Sequence, residues 1–172
     1  MNQARPVLLM VSVLYGSRRD LEAAAERLSG LFGPVSERSE GFPFDMSDYY
    51  RPEMGDGLRR VWLAFEQPVP PDGLADWKLE CASIEEDMTE DGRRRANLDP
   101  GYLDFGKLVL ASFKEAPDKI YMGRGVWAHT CLRYGHGRFT APDHSFPDFR
   151  DGRFDAFMRR ARRLLRSVPD VN

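Results

Sequence analysis

A chain of 172 residues is the length of one folding unit and buries roughly two thirds of the surface its unfolded form exposes, so a single domain over 1–172 is expected. Its 42% hydrophobic and 30% charged residues exclude a disordered polymer, and a formal net charge of -2 excludes a surface given over wholly to nucleic acid, so any basic site is local. Cys81 and Cys131, far apart in the chain, fit neither a disulfide-dense scaffold nor a zinc framework and point to reduced thiols in a cytoplasm.

The first apolar run, "PVLLMVSVLYG" at 6–16, is too short to span a bilayer and lacks the flanks of a targeting signal. It reads as a strand covered on both faces. Ser17 and Asp20 then make a capping-box-like start to a helix in which Leu21, Ala24, Ala25, Leu28, Leu31 and Phe32 keep a helical period, and Gly33-Pro34 stops it. "PVSERSEGF" alternates polar residues as a charged edge strand does. "PFDMSDYYRPEMGDG" reads as a long loop anchored by Phe44, Tyr49 and Tyr50.

"RRVWLAFEQ" sets Val61, Leu63 and Phe65 against Trp62 and Ala64, a strand pattern. Asp72 is the expected cap of a second helix, in which Leu74, Trp77, Cys81, Ile84 and Met88 step by threes and fours until the turn "TEDG". In "NLDPGY", Pro100 and Gly101 suit the two central positions of a turn, placed before a buried strand "FGKLVLASF". "DKIYMGRG" and "VWAHTCLRYG" read as a hairpin hinged near Gly123-Arg124-Gly125. The last segment, "DGRFDAFMRRARRLLRSV", is a helix with Phe154, Phe157, Met158, Ala161, Leu164 and Leu165 on one face and its arginines mostly on the others.

This order predicts an α+β fold with a ferredoxin-like βαββαβ core, a mostly antiparallel sheet and both helices on one face, followed by a β-hairpin and a helix that extend or cover the sheet. The strand beginning at residue 6 and the one beginning at residue 105 are expected side by side in its centre.

The phrases "SERSEGFPFDMSDYYRPEMG", "WKLECASIE", "RRRANLDPGYLDFGKLVLASFK", "KIYMGRGVWAHTCL" and "SFPDF" resemble, in order, an uncharacterised bacterial family, the domain of unknown function 4416 family. The likeness runs from about residue 7 to about residue 165 and implies no known activity. In that family an acidic residue more often stands where this chain has His129, which argues against a mechanism needing an imidazole there. The chain has no G-x-x-x-x-G-K-[ST] loop for phosphates.

Lys107, on an expected central strand, must find an anion or escape at the strand end, because an unpaired buried ammonium costs several kcal/mol. Asp99, Asp104, Glu85 or a ligand phosphate would serve. Lys78 and Glu85 share one flank of the second helix, either as snorkelling side chains or as a second anion contact and its orienter. Trp127, His129, Cys131 and Arg133 are expected on one strand face. There a His129–Cys131 metal pair finds no zinc spacing among His136, His144 and Asp148, and a Cys131 nucleophile stands about 7 Å from His129. A buried thiol beside a hydrogen-bonded histidine is the plainer reading, and no metal site is assigned.

Two functional readings follow. In the first, Lys78, Arg95, Asn97, Asp99, Lys107 and Arg124 hold a small anionic ligand, a nucleotide or phosphorylated metabolite, at the end of the sheet. Asp99, Glu85 or His129 are then the candidates for chemistry, with magnesium as the ion a nucleotide would bring. In the second, the aromatic loop 42–55 and the basic last helix form a non-catalytic surface for protein or RNA. The arginine face is more simply a solvated one, no aromatic stacking motif marks an RNA module, and neither nucleic acid nor membrane is the expected partner.

Overall fold

The computed structural model describes residues 4–167, which form strands β1 (Val7–Tyr15), β2 (Val35–Arg38), β3 (Phe42–Pro43), β4 (Arg59–Val69), β5 (Ala96–Leu103), β6 (Lys107–Ser112), β7 (Ile120–Gly123), β8 (Val126–Gly135) and β9 (Arg138–Thr140). The helices are α1 (Arg18–Phe32), α2 (Arg51–Met54), α3 (Leu74–Asp87), α4 (Pro147–Arg150) and α5 (Asp155–Leu164). All these strands join one open sheet in the order β2-β4-β1-β5-β6-β8-β7, with β3 on β4 and β9 on β8. Each neighbouring pair runs antiparallel. Among the described residues no helix is long and apolar enough to cross a membrane.

Why the layers form is plain from β1, where every residue is buried. Val7, Leu9, Val11 and Val13 pack with Leu21, Ala24 and Leu28 of α1 and with Leu74, Trp77 and Cys81 of α3. Leu8 and Met10 pack on the opposite face with Phe157, Met158 and Ala161 of α5. A strand covered on both sides has no polar face to show, hence the continuous apolar run. Helices α1 and α3 therefore share one face as expected, while the closing helix covers the other.

Local signals also take their expected forms. Ser17 Oγ accepts from the Asp20 N–H at the start of α1, and the N–H of Gly33 (φ 89°) closes it on Ser29 O. β2 is an edge strand whose Arg38 pairs with Glu22 at 2.9 Å. The β7–β8 hairpin turns through Arg124 and Gly125, both at positive φ, with Gly123 opposite Val126. On α5 the arginines are partly spoken for: Arg159 meets Asp155 at 3.0 Å, and Arg162 donates to Phe105 O and stacks over Tyr134.

The structure corrects four expectations. Asp72 lies in a 3-10 turn, Pro71–Gly73, and α3 begins after Gly73 with no side-chain cap. "NLDPGY" is not a turn but the body of β5, in register with β1 from Leu8↔Leu103 to Tyr15↔Ala96, so it is β5 and not β6 that lies beside β1. Gly101 is there for closeness rather than for a bend, since a Cβ on it would meet Val109 O at 2.0 Å. A register shift between Leu108 and Val109 in the β6–β8 pairing breaks the period-two face on β8, so Cys131 packs with the α5-side core while His129 turns toward an open space. Asp118 and the Thr130 carbonyl lie within reach of His144, so that imidazole is already engaged.

Candidate functional site

β5 and β6 pair only over Gly101–Leu103 against Leu108–Leu110. Beyond Gly101 the strands part: Asn97 and Asp99 stay with β1 while Ala111 and Ser112 stay with β8. The pairing ends beside Pro100, which has no N–H to give a ladder. Into this split reach Lys78 and Glu85 from α3, Arg60 from β4 and His129 from β8, around a cavity of about 210 Å³.

Its floor is a network of fixed charge. Lys78 is 4% exposed and donates to Leu98 O at 2.8 Å and Asp99 Oδ1 at 3.1 Å. Asn97 Nδ2 donates to Asp99 Oδ2 at 2.8 Å and accepts at Oδ1 from Arg94 at 2.7 Å. Glu85 takes the Leu98 N–H and lies 3.8 Å from Arg94. Arg60, also buried, donates to Asp148 Oδ2 at 2.9 Å and to Ser12 Oγ. Burial opposes the charge on Asp99, but Lys78 and Arg60 outweigh it and hold that carboxyl below the usual range. For Glu85 burial wins over Lys78 and the Leu98 N–H, and its carboxyl titrates higher than usual. Lys78 keeps its proton, because Asp99 and Glu85 overcome its desolvation.

The mouth is different in character. Lys119 donates to Ser112 Oγ and Lys114 O, each at 3.0 Å, and Lys114 lies 3.2 Å from the centre of the Tyr49 ring. Among the described residues neither lysine has a carboxylate within ion-pair distance. Phe44, Tyr49 and Tyr50 of the loop before α2, with Phe113 and Phe146, form the apolar walls.

Of the residues expected from sequence to hold an anion, the fold brings Lys78, Asn97 and Asp99 together, with Glu85 and His129 beside them. It places Arg95, Lys107 and Arg124 off the cavity. Lys107 pairs with Asp104, Arg95 with Glu90 at 3.1 Å, and Arg124 with Asp76. Lys78, too, has its own acid in Asp99. The cavity's cations without one among the described residues, Lys114 and Lys119, carry no local sequence pattern that marks them. Arg60 did carry a signal: two residues before Trp62 on an alternating strand, it falls on a buried face, where a charge needs a reason.

His129 lines the cavity, and among the described residues its buried Nδ1 has no hydrogen-bond partner. Burial, with Lys119 adding to it, pushes its pKa down to about 4 against the pull of Asp99 and Asp118. The imidazole is therefore neutral in the fold. A base whose folded pKa is depressed stabilises fully above its unfolded value, near 6.5, and loses that contribution as pH falls toward 4. Thermal melts between pH 7.5 and 4.5 should show the native protein losing more stability than His129→Gln; parallel curves would refute the assignment.

Both oxygens of Asp99 and one of Glu85 are already engaged, and among the described residues no group of three or more His, Cys, Asp or Glu is arranged for a metal ion. Cys81 and Cys131 are free and buried, with thiols whose ionisation burial opposes, which leaves no activated nucleophile there.

One family model matches the chain, over residues 5–164, and its description is that of a domain of unknown function (DUF4416). No curated protein and no solved structure matches.

Proposed function

The chain belongs to the DUF4416 family, and we propose that it binds a small anionic ligand, a nucleotide or a phosphorylated metabolite, in the split between β5 and β6. The observation that carries the reading is the pair Lys114 and Lys119, two cations on an open cavity with no carboxylate within ion-pair distance among the described residues. A phosphate or carboxylate there would gain charge-assisted hydrogen bonds without breaking an internal ion pair. Lys78, Asn97, Asp99 and Glu85 would shape the floor and orient Arg94 rather than meet the anion first. Apart from Arg60, each lining residue lies in one of the phrases that carry the family resemblance, which adds support to this cavity as the family's working surface.

We read the strand order β2-β4-β1-β5 with α1 and α3 on one face as a ferredoxin-like core, extended by β6 to β9 and covered by α5. Ligand entry at the parting of two strands suits this scaffold, because the rigid sheet holds the two sides at fixed separation. Free buried thiols accord with a reducing cytoplasm as its setting.

A thermal-shift and calorimetric screen of nucleotides and phosphorylated metabolites tests the reading. At least one ligand should raise the midpoint in native protein, and Lys119→Met with Lys114→Met should weaken it by about tenfold or more, on the order of 1.4 kcal/mol. Arg95→Met and Lys107→Met, which remove cations off the cavity, should leave that response unchanged. No shift at millimolar ligand would defeat the proposal.

The alternative, an interaction module, draws on the exposed Ile120, Tyr121 and Met122 of edge strand β7. The aromatic loop gives it less, because Phe44, Tyr49 and Tyr50 turn onto the cavity.

A further inference from the structure

We infer that the anion bound here carries a planar aromatic or heteroaromatic ring, which stacks on Phe113 and Phe146 at the cavity mouth while His129 reads an uncharged polar group on the ring edge. The inference rests on the anion site proposed above and narrows its ligand class.

Single exposed aromatic side chains are ordinary on a protein surface. Here Tyr49, Phe113 and Phe146 are 56%, 46% and 56% exposed and all line one cavity. Tyr49 is already taken, edge-on to Tyr50 and with Lys114 over its face. Phe113 and Phe146 are not: among the described residues neither lies against another ring, although Lys78 Nζ stands 5.3 Å from the centre of Phe113. Two aromatic rings with no ring partner, beside two lysines with no carboxylate within ion-pair distance among the described residues, match a ligand that is flat at one end and anionic at the other.

His129 supplies the polar reader. It lines the cavity, and among the described residues its Nδ1 is closed to solvent with no partner; such a nitrogen is costly to leave unpaired, and a turn of the ring on binding would open it to the ligand. Held neutral, the ring offers one donor and one acceptor but no charge, so its complement is an uncharged carbonyl, amine or ring nitrogen rather than the phosphate. A sugar phosphate would satisfy the lysines and leave both the open rings and this nitrogen unused.

Titration calorimetry of the full chain with inorganic phosphate, ribose 5-phosphate, phenyl phosphate, AMP and UMP separates the possibilities. AMP, UMP or phenyl phosphate should bind at least about tenfold tighter than ribose 5-phosphate, the usual scale for one stacked ring. Phe146→Ala, at an exposed position, should remove that margin while leaving ribose 5-phosphate unchanged, and Phe113→Ala repeats the test from the segment after β6 should the first variant melt early. His129→Leu should weaken AMP and UMP but not phenyl phosphate, whose ring has no polar edge. Equal affinity for ribose 5-phosphate and the ring-bearing probes, or nucleotide binding indifferent to both phenylalanines, would overturn the inference and leave the anion site standing. Failure of every probe, inorganic phosphate included, would remove the anion site and this inference with it.

Discussion

Gly101→Ala should lower folding stability by about 3 kcal/mol or more, at the upper end of what overpacking costs. The added Cβ would meet Val109 O at 2.0 Å, Leu110 Cδ2 at 2.7 Å and Leu110 Cα at 2.9 Å. Two of these are backbone atoms, so no rotamer change relieves the clash; β6 has to move off β5. Because the pairing of these strands consists of Gly101, Tyr102 and Leu103 against Leu110, Val109 and Leu108, a shift there also widens the mouth of the cavity. Urea melts read the first effect and ligand calorimetry the second. A midpoint within experimental error of the native protein would mean that β5 and β6 are not held this close. Gly106→Ala is the control, since its nearest neighbour would be Asp104 Oδ1 at 3.7 Å.

Asp148→Ala should cost on the order of 3 to 5 kcal/mol, the usual price of stranding one partner of a buried ion pair. Arg60 and Asp148 have side chains 6% and 2% exposed and lie 2.9 Å apart, and the guanidinium is further boxed in by the rings of Phe44 and Phe149. Removing the carboxylate leaves a cation with Ser12 Oγ, two aromatic faces and only the Asp99 carboxylate, which it does not touch, as counter-charge. In a chain of this length such a loss corresponds to a fall in Tm of roughly 10 °C. The double variant Arg60→Met with Asp148→Ala should be less destabilised than the sum of the two single changes, because the stranded charge is gone. Additive losses would argue that the two side chains contribute through packing alone. This pair also bears on the site: Arg60 helps hold Asp99 ionised, so Asp148→Ala is expected to alter the cavity floor as well as the core.

These two sites differ in how far the sequence announced them. Gly101 stands out in "NLDPGY", but Pro-Gly after an aspartate is a strong local turn signal. That signal lost to a register of eight residues with β1 and to the hold of α3, whose Lys78 bonds Leu98 O and whose Glu85 takes the Leu98 N–H. For Asp148 the sequence suggests no more than a metal ligand, because nothing near it in the chain foretells Arg60 on a strand from the first half. Lys107, expected to find an anion or escape at a strand end, does both: it opens β6 with its side chain 44% exposed, and Asp104, three residues away, pairs with it. The expectation of Lys78 and Glu85 on one flank was sound as well. Their burial, rather than snorkelling, follows from β6 parting from β5 and leaving room beneath α3.

What the amino-acid order determined by itself is the inventory of elements: the doubly covered first strand, the capped α1, the apolar stripe of α3, the edge character of β2 and the Arg124-Gly125 hairpin turn. Each rests on neighbours two, three or four residues apart, whose spacing is written directly in the chain. Only the tertiary structure decided that β5 exists, that it parts from β6 at Gly101, and that Lys114 and Lys119 face a cavity while Arg95, Lys107 and Arg124 each turn to a nearby acid. Those outcomes depend on which strands come within contact distance and which charges are left over once the buried pairs have formed. Such a remainder is a property of the whole packed chain and of no single stretch of it.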